Sequence, residues 1–126
     1  MICLDTNYLI LGLVAGSTEA DHLVAWGEDG QRFCVPSIAW YEFLCGPVGS
    51  TQVATMRALA QSILPFGPEQ AREAARLFNA AGRTRRLRVD AMIAACATTH
   101  SVPLATSNAQ DFAAFVPLGL RLVACL

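Results

Sequence analysis

Three apolar residues, Ile2-Cys3-Leu4, run straight into an acid at Asp5, and the residues that follow, Thr6-Asn7-Tyr8-Leu9-Ile10-Leu11, space their apolar positions like a helix. A strand this short and apolar on every residue belongs in a parallel sheet covered on both faces, because only there does each side chain find a buried neighbour. The opening therefore constrains the chain to an α/β arrangement and sets Asp5 at the carboxyl edge of the sheet. In open α/β sheets that edge is where ligands bind. The same position also suits an acid that only caps the following helix.

The alternation continues. Ser17 or Thr18 caps a helix to about Glu28, with Ala20, Leu23, Val24 and Trp26 toward the core, and Arg32-Phe33-Cys34-Val35 is a second strand. Pro36 suits the first turn of a helix reaching Leu44 before Gly46-Pro47 stops it. Ser50 or Thr51 opens a helix that turns Val53, Met56, Leu59, Ala60 and Ile63 inward, and Leu64-Pro65-Phe66 reads as an edge segment. Pro68 starts another helix with the stripe Ala71, Ala74, Ala75, Phe78 and Ala81, ended by Gly82. An apolar helix over Ala91 to Ala97 leads to a strand at Ser101 to Ala105, and a last strand is expected over Leu120 to Ala124. The expected fold is an α/β three-layer sandwich with a parallel sheet of about five strands, formed as a single domain over residues 1–126.

Composition narrows the function. Hydrophobic residues make up 54% and charged residues 15%, an apolar surplus that points to a face covered by a partner or a second subunit. The five cysteines are an odd number without a C-x-x-C pair, as expected of free thiols in a reducing, cytoplasmic compartment, and they outline no zinc site. The apolar stretch from Leu9 to Ala15 lacks the basic flank of a signal peptide, and no segment is long and apolar enough to span a membrane. All nine cations are arginine. Without lysine the chain cannot carry a Walker A phosphate loop or the lysine of a phosphotransfer receiver, and Asp5-Thr6-Asn7 lacks the second acid of a haloacid-dehalogenase start.

Four acids remain to be explained. Asp5 follows the first strand; Glu42 is the one ionisable group in the apolar run Trp40-Tyr41-Glu42-Phe43-Leu44; Asp90 begins the helix Ala91 to Ala97; Asp111 follows the late strand. Taken singly, Asp5, Asp90 and Asp111 suit helix caps or first-turn positions and Glu42 suits a half-exposed helix face. Four such coincidences in one small chain are harder to accept than one acidic site.

The strings LDTNYLI, AWYEFLCG, VDAMIAACA and LATSNAQDF resemble, in order and across essentially the whole chain, the PIN-domain family, and within it the VapC-like toxins of bacterial toxin–antitoxin pairs. The resemblance implies a metal-dependent ribonuclease whose site residues are Asp5, Glu42, Asp90 and Asp111, acting on RNA and controlled by an antitoxin protein. Asn108 falls where some relatives carry a further acid, and Thr6 and Thr106 match small polar positions beside the site. Relatives commonly pair, which implies a homodimer. The run Arg83-Thr84-Arg85-Arg86-Leu87-Arg88 departs from the family pattern; we assign Arg83, Arg85, Arg86 and Arg88 to RNA phosphate contacts, since without these four cations the formal charge falls from −1 to −5.

Elementary electrostatics agrees with this assignment. Two carboxylates about 4 Å apart repel by roughly 4 kcal/mol at an effective dielectric near 20, so a cluster needs a cation or protons. Oxygen-only donors favour a hard ion, Mg²⁺ or Mn²⁺. His22 and His100 stand away from the acids in sequence and read as surface or helix-end residues, which argues against histidine-based RNA cleavage. A non-catalytic RNA-binding or protein-interaction domain on the same fold is the alternative.

Overall fold

A computed structural model describes residues 1–124. The element order is β1 (Ile2–Leu4), α1 (Thr6–Leu11), α2 (Thr18–Glu28), β2 (Phe33–Pro36), α3 (Ser37–Cys45), α4 (Ser50–Leu59), β3 (Ala60–Leu64), α5 (Pro68–Ala80), α6 (Arg88–Thr99), β4 (Leu104–Ala105) and α7 (Ala109–Phe112), with 3₁₀ segments at Arg85–Leu87 and Ala113–Leu118. The four strands form one parallel sheet in the order β3-β2-β1-β4. The chain thus steps from β1 outward to β2 and β3, then returns to the other side of β1. The crevice between the carboxyl ends of β1 and β4 is the point where strand order reverses.

The expected α/β sandwich is found, with four strands in place of about five. The segment expected as the fifth makes only an isolated parallel bridge, Leu104 to Leu122, because β4 is itself only two residues long and offers no further ladder. Cys125, expected as a free thiol, lies outside the described residues.

All of Ile2, Cys3 and Leu4 are buried, as a strand covered on both faces requires. Helix α6 lies against the neighbouring strand β2. Ala91, Ile93, Ala94, Ala95, Cys96 and Ala97 are all buried, and five small side chains around one Ile let its backbone lie close against α3, α5 and β2. A helix apolar on all sides is a buried helix. At Gly12 a Cβ would meet the Tyr8 carbonyl oxygen at 2.2 Å and Leu23 Cδ1 at 2.5 Å, so only glycine lets the end of α1 sit against α2.

Several boundaries differ from expectation, each because sheet pairing or packing overrides local pattern. Pro36 closes β2 and precedes α3 with extended backbone (φ −62°, ψ 140°) instead of entering the helix. Ala60 to Leu64, of which Ala60 and Ile63 had helical spacing, is the edge strand β3, drawn into the ladder with β2 through a register shift beside Phe33 and Cys34. On α5 the buried positions are Gln70, Ala74 and Leu77, whereas Ala71 and Ala75 are exposed. On α2, Val24 faces solvent, and His22 is buried with its Nδ1 2.7 Å from the Tyr8 hydroxyl beside Trp26. The expectation of a surface or helix-end position therefore fails for His22 and holds for His100, which ends α6.

Candidate functional site

Asp5 is buried at the end of β1, and its position is fixed from both sides of the crevice. Its backbone N–H donates to Ala105 at the end of β4 (3.0 Å), so the carboxyl ends of the two strands are joined beside the acid. Its Oδ1 accepts from the Thr6 N–H at 2.8 Å, capping α1, and its Oδ2 accepts from the Thr106 hydroxyl at 2.7 Å. The Thr106 oxygen in turn accepts from the Asn108 N–H at 2.9 Å, which commits the single hydroxyl proton to Asp5. The capping role and the site role of Asp5 are therefore not alternatives, since one oxygen caps and both retain lone pairs.

The other acids arrive from three helices. Glu42, half-buried on α3, accepts at Oε1 from the Thr6 hydroxyl at 2.6 Å, so Thr6 serves Asp5 with its backbone and Glu42 with its side chain. Asp90 occupies the first turn of α6, with no side-chain cap role, since the N-cap is Leu87. Asp111 is gripped by Arg86 through Oδ1 and accepts from Asn108 Nδ2 at Oδ2, 2.8 Å.

Electrostatics shows that the four carboxylates share one neighbourhood. Burial, followed by the charges of Asp5, Asp111 and Glu42, pushes the Asp90 carboxyl up to about 6, with Arg86 opposing. Burial also raises Asp5, against the hydrogen bonds from Thr106 and Thr6, with Glu42 adding to the rise. Asp111 is held below its ordinary range by the Arg86 guanidinium and then by Asn108. The donor chemistry is carboxylate oxygen throughout, which suits a hard divalent cation. Among the described residues, no three such groups enclose an ion as they stand: Glu42 is turned to Thr6 and Asp111 to Arg86.

The expected arginines divide. Arg86 pairs with Asp111; Arg83 bonds the Asn79 side chain, and Arg83 and Arg88 lie over the Phe78 ring at 5.6 and 5.9 Å. Arg85 makes no ion pair with a described residue. Two features of this edge escaped sequence reasoning. Glu19, in the first turn of α2, accepts from Ser107 just beyond β4 at 2.6 Å, and Phe78 collects two arginines. No local pattern links Ser107 to Glu19 across 88 residues, whereas a lone phenylalanine near the end of an alanine-rich helix, five residues before an arginine run, was a usable signal.

A sequence model of the PIN domain matches residues 2–116. No curated protein matches the chain. Among solved structures, a chain of a toxin–antitoxin complex from Klebsiella pneumoniae is 28% identical, with 90% of this chain and 91% of that one covered and a TM-score of 0.70. FitAcB from Neisseria gonorrhoeae (24% identity, 98% and 97% covered, TM-score 0.68) is similar in fold. So is VapBC2 from Rickettsia felis bound to a promoter DNA fragment (16%, 98% and 98%, 0.75).

The raised Asp90 carboxyl has a stability consequence. Because the folded chain binds this proton more tightly than the unfolded chain, stability falls as pH rises from about 4 to about 6, and the loss persists above that window. Its size is on the order of 1–2 kcal/mol once solvent at this half-buried position is allowed for. Without added metal, Asp90→Asn is expected to raise Tm at pH 7.5 by roughly 5 °C and to lose that advantage below about pH 4. Thermal unfolding followed by circular dichroism at the two pH values checks both the sign and the window.

Proposed function

The chain belongs to the PIN-domain family, whose members are generally nucleases that use divalent metals, and from that membership we propose a metal-dependent endoribonuclease, the toxin of a toxin–antitoxin pair. The observation that carries the proposal is Asp90, a half-buried carboxylate raised by that burial and then by three other acids, and given no hydrogen-bond partner among the described residues. Such a group costs stability and gains nothing from the resting fold, which is the mark of a functional site.

Asp5, Asp90, Glu42 and Asp111 would hold Mg²⁺ or Mn²⁺, which when bound supplies Lewis acidity for phosphodiester hydrolysis. The chain's own contribution is positioning. Asp5 is aimed by Thr6 and Thr106, Asp90 is fixed by the buried helix it begins, and Asn108 orients Thr106 through its N–H and Asp111 through its amide. Arg86, largely exposed and already beside Asp111, stands where a substrate phosphate could exchange for that carboxylate. The second reading, a non-catalytic RNA-binding or protein-interaction domain, is favoured by one observation, that Glu42 and Asp111 already have partners.

Cleavage assays separate the two. Wild type is expected to cut RNA with Mg²⁺ or Mn²⁺ and to stop in EDTA, while Asp5→Asn and Asp90→Asn each lower the rate by at least about 100-fold with RNA binding retained. Cleavage that persists in EDTA or in Asp90→Asn overturns the metal mechanism, and binding without cleavage over a broad RNA panel favours the second reading.

For the arginines, replacing Arg83, Arg85, Arg86 and Arg88 with Ala is expected to flatten the salt dependence of RNA affinity by roughly 0.7 for each phosphate no longer neutralised. An unchanged slope would make the run a solvated face.

Antitoxin and homodimer are proposed for the apolar surplus. It lies on α1, α2 and α3 and the loop after α1, where Ile10, Leu13, Val14, Val24, Tyr41 and Leu44 are exposed, more than on the α4 and α5 stripes. Light scattering of the isolated chain should return twice its 13.5 kDa mass. A monomer mass at every concentration excludes the dimer.

A further inference from the structure

Between α5 and α6, a cavity of about 250 Å³ is lined by Phe66, Ala71, Ala75, Phe78 and Met92 with Arg88 at its edge, and the ribonuclease proposal does not use it. Its volume falls below the roughly 300–1,000 Å³ of sites for drug-sized ligands, which suits one flat fragment better than a whole cofactor. The lining offers aromatic, thioether and methyl surface and no carboxylate. The cation at its edge does not stand alone. Arg88 and Arg83 both rest over the Phe78 ring, and Arg85 lies two residues from the second.

Charge complementarity decides what fits. A guanidinium near a ring, about 6 Å from its centre, still has N–H groups to offer a phosphate oxygen. An apolar slot with two such groups beside it therefore matches a planar ring attached to a phosphodiester. The slot is also connected to the acids by a short length of chain, because Arg86 on Asp111 and Arg88 at the cavity are two residues apart, at the start of the helix that carries Asp90. We propose that this cavity receives one unpaired base of the RNA, stacked against Phe78, while Arg83 and Arg88 hold the flanking phosphates. The inference rests on the ribonuclease reading and adds to it a base-binding subsite between α5 and α6, which a paired and stacked base cannot enter.

Two substitutions test the cavity without touching the acids. Ala75→Trp fills it from an exposed helix position, where the larger side chain has room to be accommodated, and Phe78→Ala removes the stacking surface. The probe is a labelled single-stranded RNA of about twelve nucleotides, compared with its duplex, and affinity is read by fluorescence polarisation in an Asp90→Asn background. Each substitution is expected to weaken single-strand binding roughly 5- to 100-fold and leave the weaker duplex binding unchanged. In the cleaving protein KM should rise with kcat within a few-fold. Equal affinity for both probes, or single-strand binding untouched by Ala75→Trp, overturns the inference while leaving the nuclease intact. If Ala75→Trp changes the mass by light scattering and not the RNA affinity, the cavity is a contact between copies and the inference also fails. A wild type that neither binds nor cuts RNA overturns the functional reading itself, and this inference with it.

Discussion

The hydrogen bond from the Thr106 hydroxyl to Asp5 joins the ends of two strands that are neighbours in the sheet and 101 residues apart in sequence. Nearly everything else at the carboxyl edge is placed relative to it. Thr106 takes its orientation from Asn108, Asn108 also holds Asp111, and Asp5 caps the helix whose first residue, Thr6, reaches Glu42. One acid buried with two donors is an ordinary, satisfied group. Four acids in the same neighbourhood are not, and the chain tolerates them by giving Asp5, Glu42 and Asp111 hydrogen bonds and leaving Asp90 to bear the repulsion.

That distribution accounts for how the carboxylates of Glu42 and Asp111 are aimed. Carboxylates without a counter-charge turn toward the donors within reach, and here those are Thr6 for the half-buried Glu42 and, at the surface, Arg86 for Asp111. The partners are of unequal strength. A neutral hydroxyl holds Glu42, whereas a charged guanidinium and an amide hold Asp111, so Glu42 is the easier of the two to release.

Much of this was legible in the sequence because the relevant signals are local. The strand that stops at Asp5, the acid alone in the apolar stretch around Glu42 and the acid at the head of the Ala91 to Ala97 helix each announce an exceptional residue within a few positions. What could not be read depends on pairing. Ala60 and Ile63 have helical spacing and become strand because β2 offers them a ladder; the expected last strand fades because β4 is too short to support it. His22 was misplaced for a similar reason, since only the fold brings the Tyr8 hydroxyl to its ring. The arginine run is unusual on its face, but its division between a carboxylate and a phenyl ring is a property of tertiary structure.

The strand order also has a bearing on synthesis. On a ribosome, β2 and β3 can pair in turn on one side of β1, while its other edge waits for β4, which begins at Leu104, well after β3 ends at Leu64. Until then Asp5 lacks its threonine donor, Asp90 has no Asp111 beside it, and the crevice has one wall. A chain cut before β4 therefore carries most of the fold and Asp5, Glu42 and Asp90, but lacks Thr106, Asn108 and Asp111, so the acidic edge is assembled only when the late strand arrives.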